Sequence, residues 1–265
     1  MGTLMIVLDT TIVNVALPSI RTDLGFSETS LAWVINAYML TFGGFLLLGG
    51  RLGDIYGNKK LYLVGIALFT GASLLCGVSN SQLMLVSARA LQGLGGAIAS
   101  AVALSVMMNL FSEHSERAKA MGFFGFVAAG GGSIGVVLGG LLTGAYNWHS
   151  IFLVNVPVGL IVLVLAYKLL PESKSASAHQ SVDVWGATTI TLSLLTAIYA
   201  IVNGNSAGWI SLQTLGLLFT SAALFTLFIR IESRAQAPLM PLSLWKLRNL
   251  AIANIIGVLW SAAMF

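Results

Sequence analysis

The sequence predicts an all-α membrane protein, and three observations carry the prediction. Of the 265 residues, 57% are hydrophobic and 8% charged, against about 25% charged in a soluble domain. Aspartate, glutamate, lysine and arginine are absent from 29–50, 61–88, 90–112, 120–167, 184–229 and 249–265, and a helix needs about 20 apolar residues to cross the hydrocarbon. The basic residues, finally, collect in alternate connections between these runs. The runs are too long and too evenly apolar for barrel strands, which alternate and span about 9–11 residues.

Span one is 3–20. It lacks a basic leader region and Asp9 interrupts it, so it reads as a retained span and not as a cleaved signal. Span two is 29–50, and the glycine-rich polar connection 49–60 leads to span three within 61–88. Span four lies in 90–112. The run 120–167 holds spans five and six, turning at Tyr146, Asn147, Trp148 and His149. These six spans form an expected N-terminal bundle over 1–170. Residues 171–183 are polar and aperiodic and read as a cytoplasmic linker, with Asp183 suited to cap the next helix. Two further spans fill 184–230, turning at the polar cluster 203–208, and 231–248 is the next loop. A ninth span starts at Asn249 and is incomplete at Phe265. The chain is therefore expected to be cut or truncated, with 249–265 the start of a further bundle.

Eleven of the thirteen basic residues follow spans two, four, six and eight: Arg51, Lys59, Lys60, Arg117, Lys119, Lys168, Lys174, Arg230, Arg234, Lys246 and Arg248. Opposite loops hold only Arg21, and Arg89 lies within a span. Positive loops stay in the cytoplasm, so the N-terminus is expected there. The net charge of +4 belongs to these short loops and gives no footprint for nucleic acid.

Charge inside a span costs several kcal/mol and marks a candidate site. Asp9 and Arg89 are such residues. Asp9 can load a proton or attract a cationic substrate; alternatively it caps span one in the headgroup layer, about two turns from Gly2. Arg89 shares a helical face with Gln92, Gly93 and Ala97. It can tune a nearby carboxylate, or it snorkels to the outer interface. Asn14, Trp33, Asn36 and Tyr38 line a cavity or serve as packing and interface anchors. In the connection after span two, Gly50, Gly57 and Lys59 flank Asp54, which can meet a helix end or a cation and act as a gate; the plain alternative is a hydrophilic turn. Gly131, Gly135 and Gly139 recur at i+4, with Gly140 adjoining, as in a close helix-packing face.

Other chemistry is not supported. Cys76 is the single cysteine, so there is no disulfide framework or cysteine metal cage. His114, His149 and His179 are too dispersed for a metal site. No GxxxxGK[ST] loop is present, so ATP hydrolysis by this chain is not expected, and no catalytic triad or carboxylate pair suggests an enzyme.

Together these motifs resemble the major facilitator superfamily and, within it, the fourteen-span drug:proton antiporters, over essentially the whole chain. Residues 8–18 resemble the first-span signature. Gly50, Leu52, Asp54, Gly57 and Lys59 match the loop motif, while Arg89, Gln92 and Gly93 match the fourth-span motif tied to proton coupling. Gly135, Gly139 and Gly140 resemble the fifth-span antiporter motif, and Trp148, Phe152, Asn155, Pro157 and Gly159 the start of span six. Two positions depart: Val136 replaces the usual proline, which softens a rigid kink, and Ile55 replaces a basic residue. The loop 230–248 lacks a repeat of the loop motif, which fits two inserted spans between the halves.

The resemblance implies a major facilitator-type bundle in the inner or plasma membrane. It implies export of amphipathic or cationic small molecules against protons, with no cofactor beyond the proton gradient. Asp9, Arg89, Gln92 and Asn14 would form the coupling and substrate site. Partners would be substrate, protons, the lipid bilayer and a missing C-terminal half. A transporter of another small solute, or a truncated chain without autonomous transport, stands as the alternative.

Overall fold

The computed structural model describes residues 1–111, 113–171, 183–235, 238–239 and 247–264. Among them, every regular element is an α-helix: α1 (Gly2–Leu24), α2 (Glu28–Leu31), α3 (Trp33–Tyr56), α4 (Asn58–Gly77), α5 (Gln82–Leu110), α6 (His114–Ala145), α7 (Ser150–Leu153), α8 (Asn155–Leu169), α9 (Val184–Ala207), α10 (Leu212–Glu232) and α11 (Arg248–Met264). Taking α2 with α3 and α7 with α8, eight described segments are long and apolar enough to cross a membrane. Their outer faces carry exposed Leu141, Leu160, Ile161, Val164 and Phe219. That apolar exterior belongs to a multi-pass membrane protein.

Local chemistry sets the helix ends. Ser27, Ser81 and Ser211 cap α2, α5 and α10 by accepting from the backbone three residues on. Asp183 does the same for α9, its Oδ1 accepting from the Gly186 amide at 2.8 Å. The connection expected over 49–60 is shorter than its polarity suggested. Helix α3 continues to Tyr56, and the chain reverses at Gly57 alone, with φ 92°. Arg51 is buried in the bundle, so polarity did not end the helix; a backbone angle that glycine tolerates did. The turn expected at 203–208 falls later, over 208–211 between α9 and α10, and opens at Gly208 with φ 88°. Residues 172–182 of the expected linker, and 236–237 and 240–246 of the next loop, lie outside the described residues.

Helix α5 packs lengthwise against both α3 and α4, and α1 pairs with α6. The α4–α5 contact is backbone to backbone: a Cβ on Gly65 would come within 2.6 Å of the Ala99 amide nitrogen. Helix α8 covers α4. Helices α9 and α10 form a hairpin zipped by Ser193 and Ser221, each hydroxyl donating to the other residue's carbonyl at 2.9 Å. This hairpin lies on α3, where Gly44 makes room for Leu195 and Trp33 meets Tyr199 at 5.8 Å.

Two apolar cores fill the bundle. One gathers Ile12, Val13, Ala16, Val34, Leu85 and Phe152; the other gathers Met5, Ile6, Tyr38, Ile66, Phe69 and Val162. Along α1, Asp9 falls between Ile6 and Ile12, so apolar packing closes over it from both directions.

Candidate functional site

Asp9 on α1 is fully buried and Arg89 on α5 is 1% exposed. Arg89 Nη1 donates to Asp9 Oδ2 at 2.6 Å. The same nitrogen donates to Gln92 Oε1 at 2.6 Å, and Nε donates to the Val34 carbonyl of α3 at 2.9 Å. Gln92, one turn after Arg89, presents its amide nitrogen to Asp9 Oδ1 at 2.7 Å and to Ser73 Oγ of α4 at 2.8 Å. Asn155, at the start of α8, donates to Asp9 Oδ1 at 2.9 Å. The donor and acceptor roles fix the orientation of Gln92, because a guanidinium only donates and a carboxylate only accepts.

The Asp9 carboxylate ties α1 to α5 and α8, and Arg89 and Gln92 extend the cluster to α3 and α4. Burying an ion pair costs several kcal/mol per charge, and the pair persists only where further hydrogen bonds satisfy it. Here the carboxylate accepts three. The alternative placements considered from sequence are thereby corrected. Asp9 is no headgroup cap, because packing on every side closes it from solvent. Arg89 does not snorkel, because its partners draw it into the bundle.

The structure brings Asp9, Arg89 and Gln92 together and leaves Asn14 out. Asn14 is exposed and bonds the Thr10 carbonyl at 3.3 Å; five residues along a helix turn it about 140° from Asp9. Gly50, Asp54, Gly57 and Lys59 also stand apart from the cluster. Lys59 Nζ donates to the Leu170 carbonyl at 2.6 Å and lies 5.6 Å from the Tyr167 ring, tying the start of α4 to the end of α8. Asp54 is exposed on α3. Gly131, Gly135 and Gly139 face α1, against Val7, Leu8 and Ile12 respectively, whereas Gly140 has nothing within 4 Å of a built Cβ. Val136 is 50% exposed and α6 runs through it unbroken.

Sequence reasoning passed over Asn155 as a coordinating residue and Ser73 altogether. The signal for Asn155 was present: an amide at the start of an apolar run is costly unless paired. Its partner is 146 residues away in sequence, and nothing local names it. Ser73 gives no such signal, since its hydroxyl also satisfies itself on the Phe69 carbonyl one turn back.

A family model described as Major Facilitator Superfamily matches residues 1–265. The uncharacterized MFS-type transporter EfpA of Mycobacterium tuberculosis is 39% identical over 262 residues, covering 99% of this chain and 49% of that protein. The puromycin resistance protein pur8 of Streptomyces alboniger is 42% identical over 238 residues, covering 90% of this chain and 47% of that protein. The chain thus spans about half the length of these curated relatives. Among solved structures, a bacterial homolog of the human lysosomal transporter Spinster, inward-facing and occupied, superposes with a TM-score of 0.56 at 17% identity. It covers 90% of this chain and 61% of that one, and the likeness concerns fold.

Proposed function

The chain belongs to the Major Facilitator Superfamily, and we propose that it is the N-terminal portion of a proton-coupled multidrug exporter. The observation that carries the proposal is the buried Asp9–Arg89 pair held by Gln92 and Asn155. A carboxylate in that position is neutralised by either a proton or a cationic substrate, and the two compete. Arg89 keeps its charge throughout and acts as the internal cation that reclaims Asp9 when either leaves.

The relative named for puromycin resistance supports antibiotics or similar compounds as substrates. Amphipathic and often cationic molecules fit the charge of Asp9. Transport would proceed by alternating access, two bundles rocking around a site between them. This chain supplies one bundle, and a C-terminal half supplies the other wall. The excess of basic residues after even-numbered spans supports a cytoplasmic N-terminus, in an inner or plasma membrane. Energy comes from inward proton movement, without cofactor or catalytic chemistry. The α9–α10 hairpin is read as the inserted pair of a fourteen-span arrangement.

The test is efflux of a cationic dye from cells expressing the full-length protein that contains this sequence. Efflux is expected to collapse on adding a protonophore while ATP is held constant. Dye efflux that continues unchanged under those conditions overturns the proton reading.

A further inference from the structure

The guanidinium of Arg89 is held at its faces as well as its edges. Its central carbon lies 4.3 Å from the Tyr38 ring centroid and 5.7 Å from that of Phe152, both within the roughly 6 Å reach of a cation–π contact. The rings come from α3 and α7 and are fully buried. The Tyr38 hydroxyl makes no hydrogen bond among the described residues. It sits over Gly96, where a Cβ would approach it to 3.1 Å. What Tyr38 supplies to the cluster is therefore its ring.

We infer that Tyr38 and Phe152 are positioning residues that clamp Arg89 in place while Asp9 is neutralised by a proton or a substrate. When Asp9 loses its charge, Arg89 loses its ionic partner. The Val34 carbonyl, the Gln92 oxygen and the two rings remain. The attraction of a ring for the cation does not depend on the charge of Asp9, so it persists through the cycle. A clamped Arg89 is poised to re-pair with Asp9 and displace what Asp9 carries. An unclamped arginine swings away, and release slows. Phenylalanine in place of Tyr38 keeps the clamp; leucine removes it.

The inference rests on the antiporter reading for its transport arm, and a second arm is independent of transport. In the full-length protein, Tyr38→Phe is expected to keep the maximal rate of ethidium efflux within about twofold of wild type. Tyr38→Leu and Phe152→Leu are expected to lower it about tenfold with KM little changed, the pattern of a lost step after binding. A Tyr38→Phe variant as impaired as Tyr38→Leu, or an unimpaired Tyr38→Leu, overturns the clamp. Should Tyr38→Leu not fold, Phe152→Leu carries the same comparison.

The second arm is a double-mutant cycle on thermal unfolding in detergent, pairing Phe152→Leu or Tyr38→Leu with Arg89→Gln. Residues in contact give non-additive effects, so the combined loss in Tm is expected to be smaller than the sum of the single losses. Additive losses contradict the clamp. A non-additive cycle beside protonophore-insensitive efflux leaves the clamp standing and removes the antiporter reading.

Discussion

Replacing Arg89 with alanine is expected to abolish efflux and to destabilise the bundle by about 3–5 kcal/mol, the cost of leaving one member of a buried pair alone. The substitution strips Asp9 of its counter-ion while the Gln92 and Asn155 donors remain. It also frees the Val34 carbonyl. Lysine should not rescue it, because an ammonium is a compact point charge without the planar fork that reaches Val34, Gln92 and Asp9 at once. The double variant Asp9→Asn with Arg89→Gln should be more stable than Arg89→Ala, since no unpaired charge is left. Thermal unfolding of the purified variants in detergent checks the order. A folded Arg89→Ala protein with wild-type Tm would show that the pair contributes nothing to the bundle.

The second large effect is expected on the seam between α1 and α6. Gly135 leaves no room for a side chain: a Cβ would lie 3.0 Å from the Leu8 carbonyl and collide with the Thr11 hydroxyl. Gly135→Leu must therefore push the two helices apart, and overpacking of this kind costs about 1–3 kcal/mol or more. Because Leu8 precedes Asp9, the displacement reaches the carboxylate directly. Efflux should fall at least tenfold, a change of about 1.4 kcal/mol in the barrier. Gly140→Leu is the control, since open space surrounds that position among the described residues. It should change the stability of this bundle by no more than a surface substitution does, about 0.5 kcal/mol. Equal Tm losses for the two would mean that α6 does not pack as described.

Much of the architecture was legible because lipid makes a simple demand. Charge-free runs of span length mark the helices, and eight of the described segments meet that length. Helix ends were less legible. Arg51 and Asp54 read as loop residues, yet both lie in α3, since a buried arginine side chain and a turn confined to Gly57 leave the helix intact. At the site, Asp9, Arg89 and Gln92 were visible as polar residues in apolar surroundings. Asn14 looked equivalent to them, and only the angle around α1 separates it from Asp9. Asn155 and Tyr38 acquire their place from helix packing: one meets Asp9 across the start of α8, the other lies beneath Arg89 from α3. No spacing within either helix encodes that meeting.

If Asp9 exchanges a proton for a cationic substrate, binding of the substrate to the protonated protein releases a proton. Purified full-length protein in weakly buffered detergent, first acidified until Asp9 carries a proton in place of its pair with Arg89, is expected to release protons in step with ethidium binding. Asp9→Asn is expected to release none, with a Tm showing that it is folded. Release by Asp9→Asn equal to wild type would contradict the claim and move the exchange site to another residue.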